Sequence, residues 1–249
     1  MKQSALTNQA LHVALIMDGN GRWATARGLA RAAGHRQGVE RAREIVRAAP
    51  ACGIGVLTLY AFASENWRRP ATEVRVLFSL LAQFLARETR TAERDGVRLC
   101  VIGRRDRLTR TLARAIGQAE ARTRDGSRLL LRLAVDYSSR DVIARAARSV
   151  GRMASSTGSG RAAFARALAL AEHGVPVPRV DLLVRTGGEQ RLSDFLLWES
   201  AYAELLFLAT PWPDFGPADL ADAVAAFRVR VRRFGALPEP TPHPLRRFG

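Results

Sequence analysis

Short apolar runs and amphipathic stretches alternate along this chain. Val13-Ala14-Leu15-Ile16-Met17 is long enough for a buried strand and too short for a helix. From Gly38 to Ala49, Val39, Ala42, Val46 and Ala49 recur at helical spacing among charged residues, and Pro50 ends the pattern. Ile54 to Tyr60 is rich in β-formers and predicts a strand, with Ala61 to Pro70 as the loop after it. A long helix is expected from Thr72 to Arg94. There Val74, Leu77, Phe78, Leu81, Phe84 and Leu85 cover a wide face until Asp95-Gly96 stops it. A strand at Val97 to Ile102, a helix at Leu108 to Arg124, a strand at Leu129 to Val135 and a helix at Asp141 to Met153 follow. After the Ser/Gly-rich connector Ala154 to Gly160 come a helix at Arg161 to His173 and strands at Val180 to Val184 and Leu205 to Leu208. Pro217 suits a first helical turn, and Leu220, Val224, Phe227 and Val231 line one face of a last helix.

This alternation predicts an α/β fold: one domain, with a central, mostly parallel sheet of about six strands and helices on both faces. A chain of 249 residues buries one substantial core of this kind. The domain is read as residues 1–235. Residues 236–249 hold four prolines and are read as a flexible tail.

Ligand sites in such sheets lie beyond the carboxyl ends of the strands. The unusual residues of this chain fall there. DGNGR (18–22) follows the first strand, AFASENW (61–67) the second, DYSSR (136–140) the fourth and RTGGEQRLS (185–193) the fifth. In DGNGR the glycines let backbone N–H groups approach an anion, the arginine forks onto phosphate oxygens, and Asp18 can hold a hard cation. The same residues also suit a plain strand-to-turn exit. Arg185, Gly187-Gly188, Arg191 and Ser193 make a second anion candidate, so two phosphorylated groups side by side are indicated. Glu204 sits in the apolar run Ala201-Tyr202-Ala203-Glu204-Leu205-Leu206-Phe207, where a lone carboxylate is costly. It is either a second metal ligand or the partner of a nearby arginine. The apolar helix after Thr72, with Phe62 and Trp67 before it, can wall a pocket for a greasy chain or be ordinary core. Trp23 carries the same ambiguity, and His35 suits either a phosphate contact or a helix start.

Composition sharpens this only in part. Apolar content is 47% and charged content 25%, both ordinary. No run approaches the ~20 apolar residues of a membrane span, and the start, MKQSALTNQA, lacks a signal-peptide core. Cys52 and Cys100 form no CxxC pattern, and the four histidines no ligand spacing, so magnesium on oxygen ligands is the metal indicated. All this suits the cytoplasm. Net charge is +16, and 38 of the 39 basic residues are arginine. Nucleic acid, anionic membrane or phosphorylated substrates would each fit. The arginines are scattered rather than blocked, which favours a codon bias for most of them.

HVALIMDGNGRWA, GHRQGVE, LTLYAFASENWRRP, DLLVRTGGEQRLSDFLLWE and AYAELLF…WPDF, in this order, resemble the five blocks of the cis-prenyltransferases, closest in type to bacterial undecaprenyl diphosphate synthase. The resemblance runs from His12 to Gly235. It implies a magnesium-dependent homodimer with a hydrophobic substrate tunnel that adds isopentenyl diphosphate to an allylic diphosphate, forming Z double bonds. Asp18 matches the essential aspartate that handles magnesium and diphosphate. Gly19, Asn20, Gly21, Arg22, Arg31 and His35 match the allylic diphosphate cradle, with Trp23 its neighbour. Asn66 matches the proton-accepting position, with Ala63, Ser64, Glu65, Trp67 and Arg69 beside it in the substrate site. Arg185, Arg191 and Ser193 match the isopentenyl diphosphate site, and Glu204 the second magnesium ligand. Arg233-Phe234-Gly235 looks like the C-terminal arginine-x-glycine element.

The chain departs from that pattern at Ala63, where serine is usual, at Ser138-Ser139, where a glycine pair is usual, and at Arg104, where aspartate is common. None of these touches a metal or phosphate ligand, but all bear on product length and regiochemistry. Two alternatives stand beside chain elongation. One is a short-chain or irregular, lavandulyl-type synthase. The other is a non-catalytic binder of nucleic acid or anionic surfaces, disfavoured by the intact set Asp18, Asn66, Arg185, Arg191 and Glu204. No nucleic acid partner is expected, and peripheral membrane contact during product release is left open.

Overall fold

The computed structural model describes residues 10–153 and 160–230. Six strands form one sheet: β1 (Leu11–Ile16), β2 (Ile54–Ala63), β3 (Val97–Ile102), β4 (Leu129–Tyr137), β5 (Leu182–Arg185) and β6 (Glu204–Phe207). Their spatial order is β3-β4-β2-β1-β5-β6, and every pairing is parallel. The helices are α1 (Asn20–Thr25), α2 (Arg31–Ala48), α3 (Ala71–Arg94), α4 (Arg110–Thr123), α5 (Ser139–Met153), α6 (Gly160–Ala171) and α7 (Pro217–Arg228).

Both faces of the sheet are covered, which is why its strands read as unbroken apolar runs. Val13, Leu15, Leu57, Leu59, Leu131 and Leu133 point to one face, where α2, α3, α4 and α7 pack through Ile45, Phe84, Ile116 and Val224. Ala14, Ile16, Val56, Leu130 and Ala134 point to the other, against Val142 and Ala146 of α5 and Leu168 of α6. The chain leaves β1 toward β2 and returns on its other side as β5. The order therefore reverses between β1 and β5, the place where such sheets bind ligands.

The structure moves several expected boundaries. The segment after Asp18 is a short helix, α1, rather than a turn, and α2 begins at Arg31 rather than Gly38. Two glycines allow this: a Cβ on Gly34 would lie 1.9 Å from the Asn20 carbonyl oxygen, and one on Gly38 2.2 Å from Asn20 Oδ1. They let α1 lie directly on α2. Strand β2 runs on through Ala63 because Phe62 and Ala63 still pair with Val135 and Tyr137. Helix α4 starts after Thr109, whose hydroxyl caps the Leu112 N–H. Of the predicted connector, residues 154–159 lie outside the described residues, as do Val231, the Arg233-Phe234-Gly235 element and the tail 236–249.

Candidate active site

At the carboxyl end of β1 the backbone of Asp18 is fixed on both sides. Its N–H donates to the Ile16 carbonyl and to Thr186 Oγ1, and its carbonyl accepts from the Trp212 N–H at 2.8 Å. Gly19 then turns with φ +99 into α1, and a Cβ there would press to 3.0 Å from Pro211. The Asp18 carboxylate is held by three donors: the Gly19 N–H at 2.6 Å, Arg185 Nη2 at 2.9 Å and Arg22 Nη2 at 3.3 Å. Burial pushes this carboxyl up, but the Arg185 hydrogen bond, the Gly19 N–H and the charges of Arg185 and Arg22 outweigh it. The net pKa lies below the ordinary value, and the group stays ionised.

Arg185 is buried at the end of β5 and also donates to Ser193 Oγ at 2.7 Å and to the Arg191 carbonyl. Gly187, with φ +84, passes so close to Asp18 that a Cβ would lie 3.0 Å from its carbonyl carbon. The two sequence-predicted anion loops are thus joined through Asp18. Glu189 spans them, pairing with Arg22 and Arg191.

On the opposite wall, Glu73 in the first turn of α3 accepts from Arg69 at 3.0 Å, His35 at 3.3 Å and Arg31 at 3.4 Å. Burial raises its pKa, but Arg31 first, then Arg69 and His35, hold it below the usual range. Burial lowers the His35 pKa against the pull of Glu73. Gly21 leaves the space that the Arg31 guanidinium fills, since a Cβ there would lie 2.5 Å from it. The sequence reading missed Glu73; its signal was an acid four residues after Arg69 in a helix's first turn.

The cleft between these walls is lined by Asp18, Gly19, Asn20, Gly21, Arg22, Arg31, His35, Ala63, Glu65, Asn66, Arg69, Arg185, Arg191 and Ser193. An apolar cavity walled by Leu59, Phe62, Phe78, Leu81, Phe84 and Leu133 adjoins it, with Met17, Tyr60 and Leu77 lining both. Four expected residues lie elsewhere. Trp23 donates its indole N–H to Asp214 at 2.7 Å and stacks under Arg27, outside the cleft. Ser64 and Trp67 share one turn with Asn66 but do not line the cleft: Ser64 Oγ donates to Asp136 and Trp67 packs on Phe62. Glu204 opens β6 at the amino edge of the sheet, level with Leu182, and pairs with Arg230 at 2.8 Å. Within one chain it does not meet Asp18. The DYSSR segment buttresses the site rather than lining it: Ser138 Oγ and the Arg140 N–H both donate to Asp194 in the β5 loop.

Among the described residues no group of three or more His, Cys, Asp or Glu could cage a metal. Asp18 offers one hard oxygen ligand beside open arginine-lined space. This suits magnesium, which binds through one or two carboxylates and completes its shell with substrate phosphates and water.

The profile of a prenyltransferase family, described as "Putative undecaprenyl diphosphate synthase", matches residues 16–235. The chain is 56% identical over 237 residues to isoprenyl transferase 1 of Bradyrhizobium diazoefficiens, covering 94% of each. It is 49% identical over 229 residues to isoprenyl transferase of Brucella abortus, covering 91% of this chain and 89% of that one. Its fold matches the crystal structure of lavandulyl diphosphate synthase from Lavandula x intermedia in complex with dimethylallyl diphosphate. That match has a TM-score of 0.85 at 34% identity, over 91% of this chain and 98% of that one. It also matches "a probable undecaprenyl diphosphate synthase" from Campylobacter jejuni, with a TM-score of 0.74 at 32% identity, over 92% and 100%.

Proposed function

The chain belongs to the undecaprenyl diphosphate synthase family of prenyltransferases, and from that premise we propose that it condenses isopentenyl diphosphate with an allylic diphosphate, with magnesium, to a Z-polyprenyl diphosphate. The observation that carries this reading is the pair of arginine–glycine loops joined at Asp18, with an apolar cavity opening beside them. No helix among the described residues is long and apolar enough to cross a membrane, and the reading places the enzyme in the cytoplasm.

The allylic diphosphate lies over Gly19–Gly21 with Arg22, Arg31 and His35, its hydrocarbon in the apolar cavity. Isopentenyl diphosphate lies on Arg191, Ser193 and the edge of Arg185. Asp18 would hold the magnesium, which when bound would supply positive charge at the diphosphate. Arg22 and Arg31 add fixed positive charge where negative charge develops as the diphosphate departs. As the allylic C–O bond breaks, the isopentenyl double bond attacks the allylic carbon and leaves a tertiary cation. The proton then lost lies beside that cation and is so acidic that a neutral amide oxygen, Asn66, is base enough to take it.

We place a homodimer on the edge strand β6, where Leu205 is exposed, and on the segment before it, where Trp198 and Tyr202 are exposed. Edges paired across a two-fold axis run antiparallel, so the start of one β6 meets the end of the other. Glu204, remote from Asp18 in its own chain, is thereby brought toward the anion loop of the second copy.

A short or branched product is the second reading, favoured by the closer fold match to lavandulyl diphosphate synthase and by Ala63 on the cleft wall. Product analysis separates the two. The enzyme receives magnesium and labelled isopentenyl diphosphate with dimethylallyl, geranyl or farnesyl diphosphate, and in one tube dimethylallyl diphosphate alone. A ladder of long Z-polyprenols from farnesyl diphosphate supports elongation. A ten- or fifteen-carbon product, above all from dimethylallyl diphosphate alone, supports the short or branched chemistry. No turnover of any diphosphate defeats both.

A further inference from the structure

Behind the cleft, one ion pair grips both flanks of Asn66. Asp136, near the end of β4, is fully buried and holds φ +49, a left-handed conformation uncommon outside glycine. Its carboxylate accepts from Arg107 Nε at 2.8 Å and from Arg107 Nη2, and its Oδ1 also accepts from Ser64 Oγ at 2.9 Å. Its carbonyl accepts from the Arg104 N–H at 3.1 Å, which fastens the β3–α4 loop that carries Arg107. The Arg107 guanidinium in turn lies 5.4 Å over the Trp67 ring, and Trp67 packs on Phe62 and Phe78. Asn66 stands between Ser64 and Trp67 in one tight turn, Ser64–Arg68. Neither Arg107 nor Asp136 lines the cleft, and neither bonds to the arginines proposed to hold the diphosphates.

We infer that Arg107 and Asp136 are positioning residues for the condensation: together they set the pose of Asn66, Asp136 through Ser64 and Arg107 through Trp67. This rests on the reading of Asn66 as proton acceptor. Backbone strain and a buried charge maintained beside such a turn fit that role. A displacement of about 1 Å at a reacting group costs on the order of 10²-fold in rate. Loss of the pair therefore acts on kcat, while the arginines that bind both diphosphates stay in place.

The test is steady-state kinetics with isopentenyl diphosphate and the primer that the wild type uses, on Arg107→Leu, Arg107→Gln, Asp136→Ala, Asp136→Asn, Ser64→Ala and Ser64→Ala with Arg107→Gln. Wild-type turnover is read first; without it the functional reading falls, and this inference with it. Given turnover, Arg107→Leu lowers kcat about 10–100-fold with KM for both substrates within twofold. Asp136→Asn, which keeps an acceptor for Ser64, loses less than Asp136→Ala. Ser64→Ala and Arg107→Gln combine to less than the product of their separate effects, because both act through one pose. Should Arg107→Leu fail to fold, Arg107→Gln, which keeps a donor for Asp136, reads the same kcat-against-KM split. A kcat within threefold of wild type, a loss confined to KM, or multiplicative effects in the double variant would each overturn the inference.

Discussion

At the carboxyl edge of the sheet, Asp18 and Glu73 each face two or more cations; beneath the sheet, Arg132 faces two glutamates. The buried cluster is sealed from water. Arg132 and Glu172 are bonded to each other at 0% and 1% exposure, and Glu199 lies close enough to act on both. Arg132 also reaches Thr58 Oγ1 at 3.5 Å. That hydroxyl donates to His12 Nε2, whose Nδ1–H donates to the Pro178 carbonyl. The two clusters use the same residue types to opposite ends. In the cleft, cations outnumber acids and water is near, so carboxylates stay charged below their ordinary pKa and arginine is left to meet a diphosphate. In the core, acids outnumber cations and burial dominates. The Glu172 pKa is pushed up to about 7 by burial against the pull of Arg132, and Glu199 is raised for the same reason. Burial, then Arg132, lowers His12 to about 3, which keeps it neutral. Location decides whether an arginine–carboxylate group is available for chemistry or spent on structure.

Asp18→Ala breaks the comparison on the cleft side and has the largest expected effect. Turnover should fall about 10³-fold or more, because charge stabilisation at the leaving diphosphate is lost. Thermal stability should fall far less than turnover, because Arg22 is exposed to water and Arg185, though buried, keeps Ser193 Oγ and the Arg191 carbonyl as acceptors. Full activity would remove Asp18 from the metal assignment. Arg132→Met reverses the pattern. It leaves Glu172 and Glu199 buried without their cation and should cost about 3–5 kcal/mol in urea unfolding, with the rate per folded molecule nearly unchanged. Combining it with Glu172→Leu should restore much of that stability; a single variant as stable as wild type would show that the cluster is not carrying its charge in the core.

The opposite pKa shifts separate the regions by pH. Glu172 has its pKa raised on folding, so its contribution is complete below the ordinary value of 4.5 and is lost as pH rises through about 7. That amounts to ~3 kcal/mol at most. Asp18 and Glu73 are depressed, so theirs is present at neutral pH and lost only as pH falls below their ordinary values. His12, whose pKa falls to about 3 on folding, adds stability as pH rises toward its ordinary 6.5 and so opposes Glu172 over this range. The readout is therefore a difference: from about pH 4.5 to 7.5 the unfolding free energy of the wild type should decline relative to that of Glu172→Gln.

The cleft was more legible in sequence than the core cluster. Phosphate chemistry needs glycines and arginines crowded into loops at strand ends, and Asp18-Gly19-Asn20-Gly21-Arg22 and Arg185 to Ser193 announce it. An isolated charge in an apolar strand announces only that a partner exists. Arg132 in Leu129-Leu130-Leu131-Arg132-Leu133 gave that signal as plainly as Glu204 did. The partner, Glu172, is 40 residues away, just past the end of α6, where no local pattern points back to the sheet. Gly34 and Gly38 hid the start of α2 for a similar reason: read locally they weaken a helix, and only the approach of Asn20 explains them. Trp23 fell outside the cleft because nothing in sequence shows which side of a one-and-a-half-turn helix faces the ligand.

Glu204 belongs to neither cluster and gives the smallest expected effect. Its pair with Arg230 is partly exposed, so Glu204→Gln should change stability by under about 1 kcal/mol. Its effect should lie in isopentenyl diphosphate use and magnesium dependence, roughly tenfold at limiting substrate, with allylic binding little altered. On the proposed dimer, with β6 starting at the amino edge, that effect comes through the second copy. Mixing separates this from a merely structural acid. Asp18→Ala and Glu204→Gln chains, unfolded and refolded together, form mixed dimers in about half of cases. One site in each mixed dimer then has both an intact Asp18 and an intact Glu204 facing it. The mixture should recover about a quarter of the wild-type rate at limiting substrate, well above the average of the two variants refolded alone. A mixture that only averages them would show that Glu204 does not serve the second copy's site, and a Glu204→Gln chain as active as wild type would leave it as the partner of Arg230 alone.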